Sequence, residues 1–180
     1  MAGCGGGGDA TTSLPSTAPG LGPTPGHRPP SLGSRAARAK PIKGLRCTSE
    51  ERNRFAVHLE LFAARRVVLV APGIGIAPPR TREGAYVRSG RCSYPVRTRE
   101  PTGVIAVAEG GRPKTLGDVF AVWGQPLGPR RMAGFRGRVS AFVGGRGFRG
   151  DPRAIELTRH AQIVIEVGGY VPPHARYRFP

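Results

Sequence analysis

The chain is 180 residues long and carries 28 Lys and Arg against 11 Asp and Glu, a formal net charge of +17. That length suits one compact domain with a tail, and no stretch is apolar enough to span a bilayer. The N-terminus also lacks the apolar core of a signal peptide, so the default expectation is a cytoplasmic protein with no transmembrane segment.

Residues 1–46 hold six of the cations and one acid, Asp9, which leaves 22 cations against ten acids, a net +12, from Cys47 onward. Such a charge draws polyanions through counterion release whatever the protein is for. Yet 25 of the cations are Arg, only Lys40, Lys43 and Lys114 being Lys, and they accompany 28 Gly and 19 Pro. Arg, Gly, Pro and Ala share GC-rich codons, so base composition accounts for much of the bias. The charge speaks for non-specific nucleic-acid binding and not for a fold or a purpose.

Residues 1–46 are mostly Gly, Pro, Ala, Ser and Thr, without apolar periodicity. A segment of that kind buries too little apolar surface to offset its ordering entropy and is expected to be a disordered tail, followed by a single domain over residues 47–180. Cys4 in the tail has no evident partner. Cys47 precedes the first strand and Cys92 a later one, so the two can pair if those strands are neighbours. A disulfide closing that loop would add on the order of 4 kcal/mol. Two free thiols in a reducing compartment are the alternative.

In chain order, Val57, Leu59 and Leu61 alternate with His58, Glu60 and Phe62, which is strand periodicity. A turn at residues 63–65 returns the chain through a β-branched run, residues 66–71, that ends at Pro72-Gly73-Ile74-Gly75, so a hairpin is expected. That last turn is a candidate anion-binding nest of backbone amides. Residues 77–90, with Pro78, Pro79 and several Arg, read as an irregular loop. A third strand is expected over residues 103–108.

The one clear helix runs from Leu116 to Trp123. Thr115 is a suitable N-cap with Asp118 three residues on, a capping-box arrangement, and Leu116, Val119, Phe120 and Trp123 form one apolar stripe. Gly124 ends the helix and Pro126 prevents its return. Trp123 reads as a core anchor. Val139, Ala141 and Val143 form a strand leading to a Gly144-Gly145 turn. Ile155 and Leu157 suggest a short strand, and Ile163, Ile165 and Val167 a final one. The run of residues 144–150 resembles an RGG repeat but occurs once, at that turn. Residues 170–180 are Pro-rich with aromatics and are expected to lie extended across the surface. The sum is a small α+β domain of about five to six strands with one short helix packed on the sheet, possible as a β-grasp type.

Several of these segments, in one order, carry a resemblance. Cys92-Ser-Tyr-Pro-Val-Arg-Thr-Arg-Glu-Pro-Thr-Gly103, the Pro72 turn, residues 115–127, the hairpin at Ala141, residues 150–157 and residues 160–168 match the pattern of a family of small bacterial domains without established activity. That pattern runs H-x-H-x-H-L, P-G-I-G, C-x-Y-x-L-H-T-H-D-x-S/T-G, T-L-G-x-x-F-x-x-W-G-Q-P-L, A-F-V-x-G, G-D-P-R-x-I-x-L and H-A-x-I-x-x-x-V-G, and it spans roughly residues 47–180. Relatives that keep five clustered imidazoles suit Zn or Cu. Here the first cluster falls on Arg54, Ala56 and His58, and the second on Arg97, Thr98, Arg99 and Glu100, so one of the five imidazoles survives. Arg neither ligates a cation nor acts as a base at neutral pH.

No Ser, His and acid triple has informative spacing, and His58, His160 and His174 read as ordinary structural or surface residues. The leading expectation is a non-catalytic accessory or binding domain, not an enzyme and with no cofactor or metal. Arg54, Arg97 and Arg99 would form its anion site if the strands bring them together, for a small anion or a protein partner. A nucleic-acid-associated basic protein is the alternative, and a degenerate metal-binding relative the weaker one.

Overall fold

The computed structural model describes residues 32–50 and 52–179. It begins with a short helix α1 (Ser34–Ala37) and continues through strands β1 (Arg54–Ala63), β2 (Arg66–Val68), β3 (Ile76–Glu83), β4 (Tyr86–Ser93), β5 (Val96–Thr98) and β6 (Val104–Ala108). Helix α2 (Leu116–Trp123) follows, then the short strands β7 (Leu127–Gly128), β8 (Arg131–Met132) and β9 (Phe135–Arg136). Strands β10 (Val139–Val143) and β11 (Arg146–Gly147), a 3-10 turn (Pro152–Ala154) and β12 (Gln162–Val167) complete it. This is a small, mostly-strand α+β domain.

The main sheet runs β11-β10-β12-β1-β6-β5, with β2 also paired to β1. Strand β1 is ten residues long and is shared along one edge: its first half pairs β6 and its second half pairs β2, both antiparallel. Its other edge pairs β12 in parallel, and β12 pairs β10 antiparallel. Two antiparallel pairs, β6-β1 and β12-β10, are thus joined at the centre by a parallel one, and α2 lies in the connection between them. That is the β-grasp arrangement.

The β1–β2 hairpin forms as the alternation implies. Ala64 and Arg65 both take positive φ, 48° and 63°, as a two-residue primed turn requires. Gly144 and Gly145 do the same between β10 and β11, so the RGG-like run is a hairpin tip.

Side chains alternate across β1, and the inner set, Val57, Leu59 and Leu61, joins Ile105, Val107, Ile163, Ile165 and α2 in one core. Helix α2 has the expected bounds, and the Asp118 carboxylate accepts from the Thr115 backbone N–H at 3.0 Å. Gly124 closes it at φ 76°. Trp123 is fully buried, with the Phe120 ring 5.4 Å away.

Four expectations are corrected. The helix buries more than a stripe, since Gly117 and Val122 are buried too. The extra cover is residues 32–45 and the 3-10 turn: a Cβ on Gly117 would meet the Arg153 carbonyl at 2.9 Å. The domain therefore starts before Cys47, because Ala36, Ile42 and Leu45 are in the core and the Tyr94 hydroxyl donates to the Lys40 carbonyl at 2.6 Å. The remainder of the expected tail, with Cys4, lies outside the described residues. Residues 77–90, expected as a loop, belong to a hairpin of β3 and β4. Its residues are mostly exposed on both faces and its register shifts near Pro78 and Pro79, so no period-two apolar signal marks it. Finally, Ile155 and Leu157 are buried but form no strand. Their backbone bonds to Leu116 and Lys114 instead anchor the start of α2.

Two outcomes follow. Trp123→Ala is expected to lose roughly 3–5 kcal/mol of unfolding free energy, as for an aromatic removed from a packed core, measured by denaturant titration. A chain beginning at Cys47 is expected to unfold at clearly lower denaturant than one beginning at Leu32. Ile42 and Leu45 alone contribute about 1.5–3 kcal/mol each when buried. Equal midpoints would return the boundary to Cys47.

Candidate functional site

Cys47 and Cys92 form a disulfide with Cα atoms 5.4 Å apart. The cause is local pairing: Thr48 and Ser93 exchange both backbone hydrogen bonds, at 3.0 and 2.8 Å, and so bring their neighbours together. This seam joins the incoming segment to the end of β4, and the three Arg expected at a site gather around it.

They do not line one cavity. Arg54 opens β1 and reaches across to donate to the Tyr94 and Pro95 carbonyls at 3.3 and 3.0 Å. It borders a cavity of about 600 Å3 whose other charged walls are Arg46, Arg52, Arg112, Lys114 and Glu50. Arg97 and Arg99 border a second, smaller cleft of about 80 Å3. Thr48 and Ser93 line both, so the two spaces adjoin at the disulfide seam.

Arg97 is buried and donates to Ser93 Oγ at 2.9 Å. Arg99 is tied to β4, donating to the Val87 and Arg88 carbonyls and lying over the Tyr86 ring at 5.7 Å. Thr98 between them is a clamp: its hydroxyl donates to the Ala71 carbonyl at 2.7 Å and accepts from the Ile74 N–H at 3.0 Å. The Gly73 N–H donates to the Thr98 carbonyl as well. The Pro72-Gly73-Ile74-Gly75 turn therefore spends these amides on β5, and the expected nest becomes a packing turn. Gly75 is required there, at φ 74°, since a Cβ would fall 2.0 Å from the Val96 carbonyl oxygen.

The larger cavity is dominated by positive charge. Lys114 is only 8% exposed, and its ammonium donates to the Gly110 carbonyl. Burial, and then the Arg112, Arg52 and Arg54 charges, push its pKa below the ordinary lysine value against the pull of Asp118. Arg112 forks onto Asp118 with two bonds of 2.8 Å. Burial pushes the Asp118 carboxyl upward, but that fork and the Thr115 N–H outweigh it and hold the pKa below the usual range. Arg52 meets Glu50 at 3.0 Å in an exposed pair. Among the described residues, five cations thus surround a space with one acid on its wall and one behind it. Sequence reasoning found Arg54 and missed Arg46, Arg52, Arg112 and Lys114. The available signal was that Lys114 is the only lysine after residue 47, beside the helix cap.

The same face of β1 that carries Arg54 also carries His58, two register positions along from Ala56. His58 is buried, its Nε2 lies 2.8 Å from the Thr102 carbonyl and its Nδ1 2.7 Å from the Gln162 amide. A carbonyl only accepts, so Nε2 carries a proton. The other amide atom, Gln162 Nε2, is buried with no partner among the described residues. Tyr177 stacks on this ring at 3.6 Å, Phe179 on His160 at 4.8 Å, and His174 meets Glu60 at 3.0 Å. Residues 170–179 are thus an extended strap across the sheet, as expected. Among the described residues, no three His, Cys, Asp or Glu converge on one point, and no helix is long and apolar enough to cross a membrane.

Under the strap, Glu166 is 1% exposed. Its Oε1 accepts from the Val171 N–H at 3.2 Å and its Oε2 has no partner among the described residues. Burial raises its pKa, the Val171 N–H opposing. A carboxyl whose folded pKa lies above its unfolded value favours the fold while protonated, and that contribution is lost as pH rises through the folded pKa. Glu166→Gln is therefore expected to be more stable than the parent at pH 7, with the difference shrinking toward acid. Denaturant midpoints of both proteins across the acid-to-neutral range are the check, and an unchanged difference would place the carboxylate in contact with solvent.

Compared with family models, curated proteins and solved structures, the chain matches none.

Proposed function

We propose that this is a non-catalytic binding domain whose ligand is anionic and enters the cavity beside Arg54, in a histidine-poor relative of the small-domain family its motifs resemble. The carrying observation is the crowding of Arg46, Arg52, Arg54, Arg112 and Lys114 around about 600 Å3 with Glu50 the single acid among the described residues of the wall. Burial and then the neighbouring guanidinium charges depress Lys114, and an anion placed among these groups relieves the second of these. Arg forks suit carboxylates and phosphates, and a partly enclosed site strengthens them. The Cys47–Cys92 disulfide holds one wall of that cavity in place, and it fits an oxidising compartment better than the cytoplasm expected by default.

Inorganic phosphate at ten times its Kd is expected to raise the unfolding midpoint by about 4 °C in physiological salt. Arg46→Gln with Arg52→Gln, both exposed and away from the core, should remove most of that rise. Arg130→Gln with Arg138→Gln, which line neither space, should leave it intact. Equal losses in the two double variants would point to diffuse charge, the behaviour of a basic protein bound loosely to nucleic acid.

A further inference from the structure

We infer that the large cavity and the small cleft are two subsites for one ligand, a short chain bearing at least two phosphate-class groups; this rests on the anion-binding reading above. The small cleft, at about 80 Å3, has room for roughly two to three waters at about 30 Å3 each, the size of a single tetrahedral oxyanion. Arg88, Arg91, Arg97 and Arg99 line it with Ser49 and Ser89, and no acidic side chain among the described residues does. A group with three oxygens engages donors arriving from several sides, where a flat carboxylate leaves most of them idle.

Part of that donor set is open to exchange. Arg88 is held by Glu83 at 2.6 Å with both side chains 66% exposed, a pair worth little in water that an incoming oxyanion can replace. Arg91 is exposed, and it donates to the Ala37 carbonyl at 3.4 Å. Arg97 and Arg99, by contrast, are fixed by Ser93 and β4 and form a rigid floor.

The two spaces meet at one residue pair. Thr48 and Ser93 line both, and the adjoining disulfide sets their register. A phosphate seated in the small cleft therefore presents the next group of its chain to the cations around Arg54. The second contact is intramolecular and gains from a high effective concentration.

Calorimetry on the full chain, in about 0.15 M salt to screen diffuse charge, compares orthophosphate, tripolyphosphate and a nucleoside triphosphate. Tripolyphosphate is expected to bind at least about ten-fold tighter than orthophosphate, with the nucleoside triphosphate close to it. Arg88→Gln with Arg91→Gln should cut that ratio to about two while moving orthophosphate affinity by less than about two-fold. Unfolding midpoints confirm that the variant is folded, and Arg91→Gln alone serves if the pair is not. The proposal is overturned if the ratio survives in the cleft variant, or if Arg130→Gln with Arg138→Gln lowers it as much. It is also overturned if a single-stranded oligonucleotide outcompetes tripolyphosphate regardless of Arg88 and Arg91. Absence of binding by all three phosphates would instead sink the anion-binding reading itself.

Discussion

Parallel pairing of β1 with β12, from His58 opposite Gln162 to Ala63 opposite Val167, joins the first and last long strands and fixes where the intervening chain must run. Parallel neighbours cannot be linked by a tight turn and need a crossover. Helix α2 supplies it, and the core is what that helix and the inner face of the sheet bury together. The same pairing sets Gln162 beside His58 and brings the C-terminal strap back over the outer face. Since β10 pairs β12, loss of this one pair would detach the strap and the β10–β11 hairpin together.

The charge distribution follows from that frame. The inner face takes no ionised group, so the cations are pushed to the sheet's ends and to its outer surface, where β1 begins, β4 ends and β6 ends. There the disulfide and the Thr48–Ser93 bonds hold segments distant in sequence side by side. Among the described residues two acids temper the larger cavity, Asp118 through a two-bond fork and Glu50 through an exposed pair, and they differ in weight. The Asp118 pair is backed by the helix cap and burial on the carboxylate side, whereas the Glu50 pair is freely solvated and contributes little. Positive potential at the cavity survives both.

The guanidinium groups of Arg54, Arg97 and Arg99 play two different parts along this surface. Arg54 reaches backbone carbonyls and still borders open space. Arg97 and Arg99 are drawn into the structure, one toward Ser93 and one toward the β4 carbonyls and Tyr86. Their long stems and five donors let them do both things at once, bracing the backbone while keeping charge at a cleft.

The sequence by itself determined the elements whose signals are local. Alternation marked β1, β10 and β12, and Thr115, Asp118 and Gly124 bounded α2 to the residue, because caps and turn glycines act within a few positions. It also paired Cys47 with Cys92 as an option and singled out Arg54, Arg97 and Arg99. Only the tertiary structure decided that those three border two spaces, since which face and which edge a side chain meets depends on strands 40 or so residues away. The β3–β4 hairpin and the packing of residues 32–45 were equally illegible: the first is exposed on both faces and the second is too poor in apolar residues to show a period. What orders them is contact with the rest of the chain, through backbone bonds at Ser93 and Arg99 and burial of Ala36, Ile42 and Leu45, and no local pattern encodes a partner.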